Sequence, residues 1–220
     1  RLALAGSATL LLWLGWLRSS EVFGLRWCDV ELTLPDQGPS RDLPRGIGVV
    51  SCRLQPETKS SRDRSADCFI AFQTVSGYEL GKWLLRAAET WQVRDPTNHH
   101  GLIFQSESGA QWGSLYYRNA FLYPHLHALR QAGDSYLTPF TNDPGNSLEE
   151  KFWSLHCFRR GARSHVSRGG IFGNARLRRA SPDEVYEHAR WRRRRSGEPI
   201  DKLYQEWTVR DKLRITLLCM

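Results

Sequence analysis

The stretch LALAGSATLLLWLGWLRSSEVFGLRW, residues 2–27, contains the longest apolar run of the chain and decides how the rest can pack. Residues 2–17 are apolar on all sides of a helix, which predicts a buried helix. The run is too short to span a bilayer comfortably and lacks the cleavage site of a signal peptide. A polar run beginning at Arg18 breaks the pattern, and Ser20 is expected to cap a short helix that ends near Leu25. Arg18 should therefore lie at a corner between two helices.

Beyond this corner the pattern predicts an α+β fold that is mainly helical, with one small antiparallel β-sheet. GVVSCRLQ (48–55) and ADCFIAFQ (66–73) have the composition of strands and flank a polar segment. They predict a β-hairpin with Lys59 at its tip.

The remaining elements are predicted to be helices. Ser76 followed by Glu79 forms a capping box that predicts a helix ending near Trp91. Residues 114–131 have helical character, although Pro124 should kink that helix. Further helices are expected over residues 149–168, from a cap at Ser181-Pro182, and over residues 199–218. Residues 133–147 are expected to form a polar loop.

Composition and motifs exclude several classes of protein. The chain is 40% hydrophobic with nine Trp and nine Phe, which excludes a disordered polymer. Five scattered Cys without a CxxC pair exclude a disulfide framework or a zinc ribbon. No glycine-rich phosphate loop and no G-x-S-x-G elbow occurs, so nucleotide hydrolysis and serine-hydrolase chemistry are not expected.

Positive charge is concentrated in the last third of the chain. Residues 151–220 hold 17 Lys and Arg against 7 Asp and Glu, while the formal net charge of the whole chain is +8. Most of the basic residues are Arg, whose planar fork matches phosphate oxygens. The pattern predicts a polyanion partner. A solvated basic face, or a nuclear-import patch at RWRRRR (190–195), explains the charge equally well.

Two segments carry residues suited to phosphodiester chemistry. Fixed guanidinium groups stabilise the charge that builds on a phosphate under attack. LGWLRSSEVFGLRW (14–27) places Arg18 three residues before Glu21. LHCFRRGARSHV (155–166) places His156 and Arg159 three apart, on one face of a helix.

These segments resemble the catalytic domain of tyrosine recombinases, the phage-integrase type. The family's Gly-x-x-Arg-x-x-Glu box, followed by Leu-x-Trp-x-Asp, is matched by residues 15–29, and its His-x-x-Arg box by residues 156–159. A hairpin Thr-Lys is matched by residues 58–59. A later His or Trp is matched by Trp191, and the nucleophilic Tyr by Tyr204. The resemblance covers about residues 2–207.

The resemblance implies a role for each matched residue. Tyr204 would attack the scissile phosphate of DNA and form a 3′-phosphotyrosyl link, without ATP or metal. Arg18 and Arg159 would hold the non-bridging oxygens, with Glu21 supporting the arginines. Lys59 would protonate the leaving 5′-oxygen, and His156 would assist proton transfer from Tyr204. Trp191 would buttress the phosphate or donate a hydrogen bond to it. Nearby arginines are expected to contact DNA: Arg160, Arg163, Arg190, Arg192, Arg193 and Arg194.

The family's assembly adds expectations about partners. Active members form tetramers on double-stranded DNA, and residues 208–218 have the amphipathic character of a helix that docks on a neighbouring subunit. No segment resembles the family's N-terminal DNA-clamping domain, so a truncated start is expected. The expected location is the nucleus in a eukaryote and the cytoplasm or nucleoid otherwise.

Alternatives remain open on the sequence alone. A type IB topoisomerase shares the same catalytic residues. A catalytically dead remnant of a mobile element would bind DNA without cutting it, since the interval between Trp191 and Tyr204 is longer than is common in the family. His188, rather than Trp191, is a second candidate for the His or Trp position. An arginine-rich RNA-binding or import segment on an unrelated fold is the fourth alternative.

Overall fold

A computed structural model describes residues 1–35, 48–54, 66–74, 77–95, 99–133, 154–168, 170–172, 175–177 and 179–188. Helices and two small antiparallel sheets make up this part of the chain, in agreement with the predicted α+β class. The helices are α1 (Leu2–Leu14), α2 (Ser19–Phe23), α3 (Leu80–Thr90), α4 (Ser114–Tyr117), α5 (Tyr123–Gln131), α6 (His156–Arg168) and α7 (Pro182–His188). The strands are β1 (Val30–Thr33), β2 (Val49–Leu54), β3 (Ala66–Ala71), β4 (Gly170–Phe172) and β5 (Ala175–Leu177).

Helix α1 is the buried helix that the apolar run predicts. Its buried residues, which include Leu4, Leu11 and Leu12, lie along one half of the helix, and the other half is only partly buried. It packs against α3 and α6. A Cβ atom at Gly6 would lie 2.9 Å from the Trp83 ring, so the absence of a side chain at Gly6 lets α3 approach closely. No helix in the described ranges is both long and apolar enough to cross a membrane.

The three-stranded sheet has the order β1-β2-β3 and is antiparallel throughout. The predicted hairpin is confirmed by the β2–β3 pairing, in which Val50 lies opposite Ile70, while Lys59 lies outside the described residues. The sequence analysis missed β1, although Val30 and Leu32 alternate with polar residues as strand residues do.

The prediction of a single sheet was wrong. Strands β4 and β5 form a second, two-stranded sheet just after α6. Each strand is only three residues long, too short for its alternation to show in the sequence.

Helix α3 begins at Leu80, later than the capping-box pattern predicts. A turn precedes it: the N–H of Tyr78 donates to Thr74 Oγ1 at 3.0 Å, and Gly77 adopts φ +90°. A left-handed residue cannot belong to a right-handed helix, so the helix starts after this turn. Ser76 lies outside the described residues.

The helical region 114–131 is irregular where Pro124 predicts a kink. A π-helical turn over Arg118–Leu122 joins α4 to α5. Proline has no N–H and its ring clashes with the carbonyl four residues earlier, and a widened turn relieves that clash.

Helices α6 and α7 form the last described part of the chain. Residues 149–153 of the predicted helix and the whole region 199–218 lie outside the described residues, and α6 begins at His156. The predicted cap at Ser181 is confirmed as a reciprocal capping box. The Ser181 N–H donates to Glu184 Oε2 at 2.7 Å, and the Glu184 N–H donates to Ser181 Oγ at 3.2 Å.

Candidate phosphate-binding site

A tight corner between α1 and α2 presents Arg18. Helix α1 stops at Leu14 because Trp16 adopts φ 50°, a left-handed conformation that bulky residues rarely take. Trp16 and Leu17 are fully buried, and Arg18 leaves the corner in an extended conformation at φ −74° and ψ 155°. The side chain of Arg18 is 41% exposed. Arg18 thus lies at a corner between two helices, as the sequence predicts, and its side chain reaches solvent.

Glu21 ties Arg18 to the start of α2. The backbone N–H of Arg18 donates to Glu21 Oε2 at 2.6 Å, and the two charged groups approach to 3.7 Å between Arg18 Nη1 and Glu21 Oε1. Only 9% of the Glu21 side chain is exposed. The residue before α2 is therefore Arg18, and not Ser20 as predicted, because the carboxylate of Glu21 satisfies the N–H of Arg18.

Helix α6 has three faces with different surroundings. One face is buried in the core and consists of Leu155, Arg159, Ala162 and Val166. A second face lies along α1 and a cavity and consists of Ser154, Cys157, Phe158, Gly161 and His165. The third face is exposed and consists of His156, Arg160, Arg163 and Ser164. His156, Arg160 and Arg163 thus lie on the exposed face, whereas Arg159, predicted on the same face as His156, lies on the buried one.

Arg159 is only 3% exposed because it lies on the face of α6 that otherwise carries core residues. No other Arg or Lys side chain among those the structure describes is buried. Burying a guanidinium group costs free energy unless polar partners compensate it, so a buried arginine calls for a structural or functional reason.

The positive charges of three arginines affect the pKa of His156. Its pKa is lowered from the ordinary value of 6.5, first by partial burial of the ring and then by the positive charges of Arg160, Arg159 and Arg18. Arg18 belongs to the corner before α2, so folding brings it from a distant part of the sequence into the electrostatic field of α6. The described part of the chain therefore joins Arg18, His156 and Arg159 in one basic cluster. At neutral pH the His156 imidazole is uncharged and able to accept a proton.

His188 lies inside the protein, below the corner. It is 6% exposed, and its Nε2 lies 2.9 Å from the carbonyl oxygen of Leu14. Its ring meets the Trp16 ring edge-on, with 4.8 Å between centroids. Because its Nε2 already contacts the Leu14 carbonyl, the structure argues against His188 as the residue that touches a phosphate, one of the alternatives left open by the sequence.

Several predicted site residues lie outside the described residues. They are Lys59, Trp191, Tyr204, Arg190, Arg192, Arg193 and Arg194. Arg160 and Arg163, predicted to contact DNA, are exposed on α6. Arg160 has a second effect that the sequence analysis missed, because its charge lowers the pKa of His156 more than the charges of Arg159 and Arg18 do. The sequence signal for this effect is the pair of adjacent arginines that closely follows His156 in the HCFRR segment, residues 156–160.

An apolar cavity of about 700 Å³ lies behind the basic cluster. Its walls come from α1, α3, the π turn, α5 and the second face of α6, and they include Trp13, Trp83 and Phe121. Tyr117 and Thr9 form a hydrogen bond at its edge, and burial raises the pKa of the Tyr117 hydroxyl. Among the residues described, no group of three or more His, Cys, Asp or Glu side chains is placed to hold a metal ion.

Comparison with protein-family models, with curated proteins and with solved structures gives no match to this chain. The arrangement of the basic cluster is therefore the basis for a functional proposal.

Proposed function

We propose that this chain cleaves and rejoins DNA strands through a covalent 3′-phosphotyrosyl intermediate, as a recombinase or an integrase of mobile DNA. The observation that supports the proposal most strongly is that the charges of Arg18 and Arg159 both lower the pKa of His156. These are the residues that two separate sequence boxes predict for one phosphate.

The geometry of the cluster suits the chemistry of a phosphodiester. A phosphate under attack gains negative charge on its non-bridging oxygens. The guanidinium groups of Arg18, which is partly exposed beside Glu21, and of Arg159 are suited to stabilise that charge. The lowered pKa of His156 leaves the imidazole neutral, so it is suited to accept the phenolic proton of Tyr204.

The proposed reaction is balanced within the chain and the DNA. The Tyr204 oxygen forms a bond to phosphorus as the bond to the 5′-oxygen breaks, and Lys59 supplies the proton that the leaving oxygen takes up. The phosphotyrosyl bond retains the energy needed for rejoining, so the step requires no ATP and no metal. Trp191 is proposed to buttress the phosphate.

A nicked suicide DNA substrate tests the proposal directly. The expected product is a covalent protein–DNA adduct that is stable to denaturing gel electrophoresis and absent from Tyr204→Phe. Tyr186→Phe is the matched control, because Tyr186 precedes the His or Trp position and is not the proposed nucleophile. DNA retardation without any adduct would contradict the enzyme and support a DNA-binding remnant.

Two further measurements separate the remaining alternatives. Relaxation of a supercoiled plasmid that lacks any paired target site would favour topoisomerase activity over recombination. Loss of all nucleic-acid affinity on replacing residues 192–195, with no effect of Arg18→Gln, would favour an arginine-rich binding segment.

We also propose that the protein forms tetramers on DNA, with residues 208–218 docking on a neighbouring subunit. The apolar residues of TVRDKLRITLL support this proposal. Light scattering on the DNA complex is expected to give a mass of four chains, and a lone monomer on bound target DNA would contradict it.

A further inference from the structure

The corner that presents Arg18 is held by the far end of the described chain. His188 is the last residue of α7, and its Nε2 lies 2.9 Å from the carbonyl oxygen of Leu14. A carbonyl oxygen only accepts hydrogen bonds, so Nε2 carries the proton and donates it. The Leu14 carbonyl is among the last four of α1, which have no donor within their own helix. His188 supplies that donor from α7.

The same imidazole ring contacts the strained residue of the corner. Trp16 adopts φ 50° while fully buried, and such a conformation persists only when its surroundings hold it. The His188 ring packs edge-on against the Trp16 ring, with an interplanar angle of 89°. One side chain therefore fixes both the last turn of α1 and the residue at which the chain reverses.

Arg18 follows Trp16 by two residues, and it is fixed from its other side by Glu21. The backbone at Arg18 thus lies between two anchors, the His188 contacts before it and the Glu21 carboxylate after it. A shift of the first anchor changes the direction in which the Arg18 side chain leaves the protein.

We propose that His188 is a positioning residue for Arg18: it locks the corner at residues 14–17 and so fixes the direction in which the Arg18 side chain leaves the protein. The phosphate that Arg18 would hold comes from the function proposed above, whereas the positioning is a property of the fold alone. His188 is not proposed to touch DNA.

Three substitutions at His188 separate its hydrogen bond from its packing. His188→Phe keeps an aromatic ring against Trp16 and removes the donor. His188→Gln places an amide N–H near the position of Nε2, whereas His188→Asn carries the same amide on a chain one methylene shorter. His165→Phe is the matched control, since His165 also contacts a tryptophan of α1, Trp13, but does so before the corner.

The first readout is the pKa of His156, measured by NMR titration without any DNA. Arg18→Gln removes one of the charges that lower this pKa. The rise in pKa that it causes is therefore the upper limit expected for any displacement of Arg18. His188→Phe and His188→Asn are expected to raise the pKa of His156 in the same direction and by no more than Arg18→Gln does. His188→Gln and His165→Phe are expected to leave it at the wild-type value.

The second readout is the single-turnover rate of adduct formation, measured together with DNA affinity. Displacement of a substrate-holding group by about 1 Å can cost about 100-fold in rate. His188→Phe and His188→Asn are therefore expected to slow the reaction by about this factor. Rescue of the rate by His188→Gln would show that the donated hydrogen bond is what matters.

The outcomes separate the two proposals. If His188→Asn and His188→Gln give the same pKa of His156, the positioning role is overturned, whether or not His188→Phe folds. If the wild-type protein forms no adduct while the pKa of His156 changes as expected, the proposed DNA chemistry fails and the positioning role stands.

Discussion

At the residue scale, the electrostatics of His156 make a prediction that needs no substrate. The charge of Arg160 lowers the pKa of His156 more than the charges of Arg159 and Arg18 do. Arg160→Gln is therefore expected to raise the pKa of His156 by more than Arg18→Gln does, as measured by NMR titration of the imidazole. Arg163→Gln, on the same exposed face, is the control and is expected to cause a smaller change.

The lowered pKa of His156 also sets the sign of two pH dependences. Protonated imidazole cannot accept a proton, so the rate of adduct formation is expected to fall only below the ordinary pKa of 6.5. The unfolded chain binds the proton more readily than the folded one, so this group's contribution to stability is present above pH 6.5 and is lost as the pH falls through the lowered pKa. Urea unfolding of wild type and His156→Gln across this range measures the second effect. A contribution that grows on acidification would contradict the assignment.

Glu21 makes a second prediction at the residue scale. Glu21→Ala removes the acceptor of the Arg18 N–H, and the expected loss is about 1 kcal/mol in the free energy of unfolding. The ion pair itself adds little because the Arg18 side chain is well exposed. Glu31→Ala, at an exposed position of β1, is the control and should cost less. Equal effects of the two substitutions in urea titrations would show that the capping contact is unimportant.

At the element scale, close packing of α3 on the sheet depends on a glycine. A Cβ atom at Gly81 would lie 2.0 Å from the Phe72 ring, a contact that requires the ring or the helix to move. Gly81→Ala is expected to destabilise the protein by about 1–3 kcal/mol, which exceeds the gain in helix propensity. Gly113→Ala is the matched control, because nothing lies within 4 Å of a Cβ at that position. Thermal unfolding of both variants checks the difference, and similar melting temperatures would refute it.

Helix α6 contacts the core, helix α1 with the cavity, and solvent through three different faces. Its core face fixes it in the protein, its second face borders α1 and the cavity, and its exposed face presents His156 and Arg160. A Cβ atom at Gly161 would lie 3.0 Å from the Trp13 ring, so the absence of a side chain at Gly161 lets α6 approach α1 closely. Helix α1 leads directly into the corner with Arg18. The two halves of the basic cluster are therefore joined through helix packing.

At the scale of the whole molecule, the charge distribution predicts a strong salt dependence of DNA binding. If about six arginines displace counterions from DNA phosphates, the free energy gained by releasing them shrinks as salt is added. The affinity is then expected to fall by roughly three decades between about 50 and 200 mM salt. Fluorescence anisotropy with a labelled duplex measures this. A flat response would argue against DNA as the ligand.

Much of the fold could be predicted because its signals are local. The all-apolar run gave α1, alternating apolar residues gave the β2–β3 hairpin, and the Ser181 cap gave α7. The short strands β4 and β5 were missed since three residues carry too little periodicity. The start of α3 was misplaced because a turn at Gly77 competed with the capping-box pattern.

The sequence by itself determined which residues are chemically suited to a phosphate, because residue type and helical spacing are written in the chain: Arg18, His156 and Arg159 are identified in this way. Only the tertiary structure decided that the charges of Arg18 and Arg159 act on one imidazole, and that His188 turns inward to hold the Arg18 corner. The physical reason is that Coulomb interactions and hydrogen bonds depend on distance in space, and the packing of α1, α6 and α7 sets those distances.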